Sequence, residues 1–398
     1  MKRSVMTAVL FAGISGSAFA GSSHVQLYGI IDAGITHFSG ISNGNGGTTS
    51  STGLSSGVET PDRIGLKGTE DLGNGLATVF DVETGFCGTG LSQDAAAGQK
   101  AATGPANGYC TGGGFMQRQA WVELKGGLGA VRLGRDFTIL FREEVQADPF
   151  TNGLNGDMFN LSLSGKQSGL ALSHANQAVE YFSPEVDGLS FDASYSFAPL
   201  NGGTIPLASG NGSQVPRSWG VVAHYSRGGF LVGTSYTRVS NDPFGVGAGA
   251  GGTNDGSIGI WTLRGSYDFP AVHLSALYEK ATGSYAYGAS AGQSGGANSY
   301  WMIGAKIPLG RSAILMSTTE AHVDSNSVLM PASVYGTAKE YAVGYTYALS
   351  KQTALYASYG HISNGPHTAF AVGSATDVMT GVVGEGSSGF AVGLRHSF

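Results

Sequence analysis

Cysteine is nearly absent from this chain: Cys87 and Cys110 are the only two in 398 residues, which excludes a disulfide-dense scaffold or a cysteine-rich zinc fold. Charge is scarce too. Asp, Glu, Lys and Arg make up 12%, and acids outnumber bases 27 to 21, the opposite of what a nucleic-acid partner favours. After residue 20 no run of about 18 apolar residues occurs, so no spanning helix is expected. The nine histidines are scattered without two-residue or four-residue spacing, so no metal and no cofactor is expected. Catalytic signatures fail as well. Gly53-Leu54-Ser55-Ser56-Gly57 has the G-x-S-x-G spacing but lies in Gly/Ser-rich sequence with no strand-to-helix elbow. Gly247-Ala248-Gly249-Ala250-Gly251-Gly252 has the dinucleotide-type spacing and no following helix.

What is present begins with a leader. Residues 1–20 carry Lys2 and Arg3, an apolar run from Val5 to Ile14, and Ala18-Phe19-Ala20, the small-x-small pattern of a cleaved signal peptide. The mature chain is expected to start at Gly21 and to form one domain over 21–398, and loss of the two leader cations takes the formal charge from −6 to −8. Glycine is abundant at 66, with 17 Tyr and 19 Phe. Mean hydropathy is close to zero, as it is when apolar and polar residues alternate and cancel.

That alternation is clearest at the end of the chain. From Gly389 to Phe398, the residues Phe390, Val392, Leu394, His396 and Phe398 fall on one face of a strand, and Ala391, Gly393, Arg395 and Ser397 on the other. A strand that ends so abruptly needs a partner for its edge, and pairing with the first strand closes a cylinder. Sixteen strand-like segments alternate with two kinds of connection. Seven short turns lie near 70–75, 125–129, 183–188, 227–229, 268–271, 308–312 and 350–352. Eight long polar stretches cover roughly 39–61, 85–115, 135–173, 198–217, 240–257, 281–298, 322–338 and 362–388. Seven and eight connections join sixteen strands and leave both termini on the short-turn side, the periplasmic face of an outer-membrane barrel with long extracellular loops. The fold class is therefore an all-β, 16-stranded antiparallel transmembrane β-barrel. Tyr28, Phe38, Trp121, Tyr181, Trp219, Trp261, Tyr267 and Trp301 are candidates for its interfacial aromatic girdles.

Three stretches carry a resemblance to a known family: Val25-Gln26-Leu27-Tyr28-Gly29-Ile30-Ile31-Asp32-Ala33-Gly34, Asp62-Arg63-Ile64-Gly65-Leu66-Lys67-Gly68-Thr69-Glu70-Asp71-Leu72-Gly73-Asn74-Gly75, and Val131-Arg132-Leu133-Gly134-Arg135. With the terminal Phe398, they resemble the Gram-negative general porins, particularly the neisserial and Burkholderia-type branch. The resemblance implies a homotrimer in the outer membrane, a third loop folded into the lumen, and passive diffusion of ions and small hydrophilic solutes. It also implies surrounding outer-membrane lipid, and an assembly machinery that reads the C-terminal strand through Phe398. In that family a second loop latches onto the neighbouring subunit.

Arg63 shares its strand face with Gly65, Lys67 and Thr69 and should face water, since Arg on the lipid side at the midplane costs roughly 2–4 kcal/mol. The same cost favours the lumen for Arg118 and Arg132. By match to the porin pattern, Arg63 and Arg118 are wall cations opposite acids of the third loop, for which Glu143, Glu144 and Asp148 are the candidates; ordinary solvated charges are the alternative. Arg135 and Arg142 either pair with these acids or line the mouth. Where the family commonly has arginine after the third loop this chain has His174, which removes a fixed charge at neutral pH and puts anion preference in doubt. An oxidising compartment favours a Cys87–Cys110 disulfide, with two separate thiols as the alternative. The competing functions are an outer-membrane barrel enzyme, such as a protease or phospholipase, and a loop-mediated adhesin; neither requires an open pore.

Overall fold

The structure is a computed structural model that describes residues 23–89, 116–162, 172–197, 217–240, 257–284, 294–327 and 334–398. The leader, Cys110 and the 247–252 glycine motif lie outside the described residues. Seventeen strands follow one another: β1 His24–Ser42, β2 Thr48–Ser56, β3 Arg63–Gly73, β4 Leu76–Gly85, β5 Gln119–Gly126, β6 Gly129–Phe137, β7 His174–Phe182, β8 Leu189–Ser196 and β9 Arg217–Arg227. They continue as β10 Phe230–Ser240, β11 Ser257–Asp268, β12 His273–Ser284, β13 Ser294–Leu309, β14 Ser312–Val323, β15 Gly336–Ala348, β16 Thr353–Asn364 and β17 Ser387–Ser397. Among the described residues between β6 and β7 stand one α-helix, α1 Ile139–Ala147, and two short 3-10 turns, Leu154–Gly156 and Met158–Asn160.

Seventeen strands make sixteen staves because β2 and β3 form one broken wall strand. β1 pairs with β2 through its outer half, from Ala33↔Ser56 to Ser42↔Thr48, and with β3 through its inner half, from His24↔Thr69 to Ile30↔Arg63. All pairings are antiparallel between neighbours in the chain, and β1 meets β17 from Ile30↔Ser397 to Ser39↔Ser388, which closes the barrel. The last residue completes the seam: Phe398 and Gly29 exchange both backbone hydrogen bonds, at 3.0 and 3.1 Å. A closed ring leaves no unpaired strand edge facing hydrocarbon.

The seven short turns stand where the sequence puts them; six join their strands through two to four residues, and 183–188 through six. Asn74-Gly75, for example, takes positive φ at both residues, as a two-residue hairpin requires. The stretch 39–61, expected to be a loop, differs: β1 runs on to Ser42, a five-residue turn follows, and β2 returns to Ser56. Its Gly/Ser/Thr-rich sequence carries little hydrophobic alternation, yet the backbone ladder with β1 is satisfied. The wall then breaks at 57–62, where Asp32 holds the excursion by accepting from the backbone N–H groups of Glu59 (2.6 Å) and Thr60 (2.8 Å).

Along β17, Phe390, Val392, Leu394 and Phe398 are exposed outward, as the two-residue period requires. Of the candidate girdle aromatics, Tyr181, Trp219, Trp261, Tyr267 and Trp301 share the outward face. Tyr28, Phe38 and Trp121 do not. Tyr28 turns inward because its hydroxyl donates to Asp81 (2.7 Å) and Glu83 (3.0 Å), and Phe38 is fully buried in an apolar cluster inside the mouth. Trp121 lies under the Arg132 guanidinium at 3.8 Å.

Candidate functional site

The third loop, between β6 and β7, is the element that shapes the lumen. Its helix starts where Thr138 accepts from the Phe141 N–H at 3.1 Å, an N-cap that also ties the loop base by donating to the Leu172 carbonyl at 2.7 Å. From there the loop follows the inner wall. Pro149 lies against Gly304, Phe150 against Gly344, and Asn155 against Gly360. These glycines share strand faces with buried Met302, Ala342 and Ser358 and alternate with the exposed Ile303, Val343 and Tyr359, so the loop is on the inside. A side chain at Gly360 would overlap the Asn155 carbonyl. The glycines are therefore a groove cut into the wall to receive the loop.

Two further contacts hold the loop. The Leu154 N–H donates to the Val58 carbonyl at 2.7 Å, so the wall break at 57–62 is a docking point. The eighth loop, 365–386, then folds down on top: the Gly373 N–H donates to Asn160 at 3.0 Å, and the Asn155 amide donates to the Gly373 carbonyl at 3.3 Å. Phe370, Val372 and Met379 of that loop share a buried cluster with Met158, Phe159 and Leu161 of the third loop and with Phe38 and Ile41 of β1.

The predicted site residues fall into three groups. Arg63 and Arg118 come together on Glu83 of β4, Arg63 at 3.6 Å and Arg118 by direct hydrogen bond from Nε. Arg132 belongs to a second group, donating to Glu123 at 2.7 Å and pairing with Asp136. Arg142 extends that group by pairing with Asp136 (3.3 Å) and Glu180 (2.7 Å), while Arg135 bonds the Gln117 carbonyl and Asn176. Glu143 forms the third group with Arg264 of β11 at 3.0 Å and His224 of β9 at 2.8 Å. Burial alone would push the Glu143 carboxyl up; the His224 hydrogen bond and the Arg264 guanidinium outweigh it and hold it below the usual range.

The other loop acids are placed differently from their expected role. Asp148 is buried and turned back on its own loop, accepting from the N–H groups of Phe150 (2.9 Å) and Asn152 (3.1 Å). Burial, reinforced by Asp157 nearby, pushes its carboxyl up to about 7. Glu144 is also fully buried, on the wall side of α1. His174 opens β7 as expected, but its ring packs 4.6 Å from Phe137 at the root of the loop and is 6% exposed. Glu83, Glu123, Asp136, Glu180, Arg264 and His224 were not singled out from sequence. Strand alternation was the available signal: Glu83 follows Val82, Glu123 lies between Val122 and Leu124, and Arg264 follows Leu263, all with exposed apolar neighbours except the half-buried Val82. Cys87 is described at the start of the second loop, but a bond to Cys110 falls outside the described residues.

Known proteins share this architecture along its full length. An outer membrane porin protein of Bordetella pertussis is 29% identical over the whole of both chains, and outer membrane porin protein 32 of Delftia acidovorans is 28% identical, again end to end. Major outer membrane protein P.IB of Neisseria meningitidis is 26% identical over all of both chains. Among solved structures, an anion-selective porin from Comamonas acidovorans superposes with a TM-score of 0.71, covering 95% of this chain and 100% of that one at 24% identity, a likeness of fold. Salmonella typhi OmpF superposes at 0.59 with 18% identity, covering 94% of this chain and 97% of that one. The model of the Gram-negative porin family matches residues 6–367, and the chain belongs to that family: it is an outer-membrane diffusion channel and not an enzyme.

Proposed function

We propose that ions and small hydrophilic solutes pass between the wall-seated third loop and the β3–β7 arc, and that Arg63, Arg118 and Arg132 act there as members of charge-balanced clusters. The observation that carries this reading is the pairing of the clustered cations: Arg63 and Arg118 with Glu83, Arg132 with Glu123 and Asp136, and Arg142 with Asp136 and Glu180. A wall of paired charges gives a local transverse field and little net potential, so it orients dipolar solutes while favouring neither sign strongly. Glu143, Glu144 and Asp148 serve in this reading as anchors of the loop, and His174 as part of its root. Reversal potentials across a salt gradient test it. The expected permeability ratio is modest, and a preference for one sign above about tenfold would overturn it.

The channel works in this proposal as a homotrimer, with Phe398 closing the seam and marking the C-terminal strand for assembly. A Vibrio cholerae OmpT was solved in a trimer form and superposes at a TM-score of 0.60. Crosslinking of the detergent-solubilised protein should stop at three subunits. Processing after Ala20 and a Cys87–Cys110 bond complete the proposal. N-terminal sequencing should begin at Gly21, and intact mass should rise by the mass of two hydrogen atoms on reduction.

A further inference from the structure

An aqueous wall has no need of large aromatic side chains, yet two of them stand among the lining charges. Trp121 shares the inward face of β5 with Gln119 and Glu123, and Phe182 that of β7 with Glu180; both are half-buried. Neither belongs to the apolar clusters that seat the third loop. Instead they converge on one cation. The Arg132 guanidinium carbon lies 3.8 Å from the centre of the Trp121 ring and 4.7 Å from that of Phe182.

Register brings the rings to it. Arg132 is directly cross-strand from Glu123 on one side and from Glu180 on the other, so Trp121 and Phe182 are its diagonal neighbours, opposite Gly134 and Ala130. Both of those are small. At Gly134 (φ +142°) a side chain would begin 2.7 Å from the Trp121 Cα, so nothing larger than glycine fits beside the indole. The indole is fixed in turn by its own N–H, which donates to Gln119 at 2.9 Å. The hydrogen bonds of a guanidinium lie in its plane: Nε and Nη2 donate to Glu123 at 2.9 and 2.7 Å, and Nη1 donates to Asp136. Carboxylates hold the edges, which leaves the faces to the rings. Phe182 also serves a second cation, with the Arg142 guanidinium 5.2 Å from its centre, and Asp136 pairs with both arginines.

We infer, on the reading that solutes pass along the β3–β7 arc, that Trp121 and Phe182 are positioning residues that determine specificity. They clamp the Arg132 guanidinium, and Phe182 steadies Arg142, so that these cations stay on their acids instead of swinging into the solute path. A guanidinium deprived of a ring loses a contact and the negative face of the ring's π system, so it spends more time in the water and attracts anions. Packing alone asks only for apolar volume, which leucine supplies in part; clamping asks for a ring.

The test is a mutant cycle on the full-length channel in planar bilayers, read as reversal potential in a salt gradient and as open-channel current noise. A ring contact at a half-exposed site shifts the ratio of held to free guanidinium about 2- to 5-fold. W121L and F182L should each raise the anion-to-cation permeability ratio by about 1.5- to 2-fold and increase the noise, whereas W121F should keep the wild-type values of both. In an R132Q background W121L should change neither, because the cation it acts on is gone. Wild-type selectivity and noise in both leucine variants, or a W121L shift that persists at full size in R132Q, would overturn the inference and leave the lining reading standing. R132Q alone should move the ratio toward cations; no movement would take Arg132 out of the solute path, and the lining reading would fall together with the clamp. If W121L yields no channels, F182L against F182Y decides the matter: the leucine variant should shift and the tyrosine variant should not, and equal values in the two would overturn the clamp.

Discussion

The inner wall has two arcs that solve opposite problems. From β9 to β17 it is covered by the third and eighth loops, and among larger inward side chains such as Tyr300, Met302 and Tyr356 the small Gly304, Gly344, Ser358 and Gly360 leave room for Pro149, Phe150 and Asn155. From β3 to β7 the inward positions carry long charged side chains, among them Arg63, Glu83, Glu123, Arg132 and Glu180. One arc is a socket and the other a lining. Their energetics differ accordingly: the socket is buried and intolerant of unpaired charge, while part of the lining stays wet and its pairs are screened by water.

The strongest way to break this contrast is to remove the cation that holds the loop in its socket. Arg264 and Glu143 are both nearly fully buried, and Arg264→Ala leaves the Glu143 carboxylate with His224 as its remaining named wall partner. Breaking a buried pair from one side costs about 3–5 kcal/mol, enough to release the helix from the wall. Protease cleavage within 138–162 should become rapid, and single-channel traces should show frequent closures. The pH dependence has a definite sign. Because Glu143 titrates below its ordinary value in the fold, its contribution is complete above that value and is lost as pH falls through the folded pKa. Wild-type closures should therefore appear only in acid below the usual glutamate range, and already at neutral pH in Arg264→Ala.

Steric filling of the socket ranks next. Gly360→Val places a branched side chain where the Asn155 carbonyl lies, and backbone cannot move aside as a flexible side chain can. Overpacking of this kind costs about 1–3 kcal/mol. The loop should shift toward the lumen, with conductance lowered and heat stability of the folded band on electrophoresis reduced. An unchanged conductance would mean that the loop does not depend on the glycine groove.

The cations of the lining were legible from sequence; its acids and most of the socket were not. Alternation around Arg63 and Arg132 gave the inward face directly, since it needs only a two-residue period within one strand. Other pairings depend on parts far apart in the chain: Arg118 meets Glu83 across 35 positions, and Arg142 of α1 meets Glu180 across 38. The acids of the third loop had the right composition for a constriction, but Asp148 bonds to backbone two and four residues ahead, a local turn that competes with exposure to the channel. β2 was hidden for a related reason. In Thr48–Ser56 only Leu54 is a large apolar residue, and the strand is set by its ladder to β1 more than by its own side chains.

Asp148 gives a sharper probe of the socket. Its carboxyl is raised to about 7, so the fold favours the protonated form, and stability should decline as pH rises from the ordinary aspartate range to about 7. Asp148→Asn keeps an oxygen that accepts from Phe150 and Asn152 and removes the charge. Chemical denaturation at pH 8 should show the variant more stable by up to about 4 kcal/mol, and at pH 4 the two should coincide. A variant that is less stable at pH 8 would show the carboxylate to be ionised and held by partners stronger than those backbone donors.

The smallest expected effect on stability comes from the lining, and it separates the two arcs most cleanly. Arg63 retains about a fifth of its side-chain exposure and lies 3.6 Å from Glu83, which also holds Arg118. Arg63→Gln should cost under about 1 kcal/mol, since a solvated pair is weak and Arg118 stays on Glu83. Its effect belongs to permeation: one cation leaves a balanced cluster, so the reversal potential should move toward cation preference while protease resistance of 138–162 stays as in the wild type. Glu83→Gln should move the potential the opposite way. If Arg63→Gln instead freed the third loop, the lining would be part of the socket, and the division between the two arcs would fail.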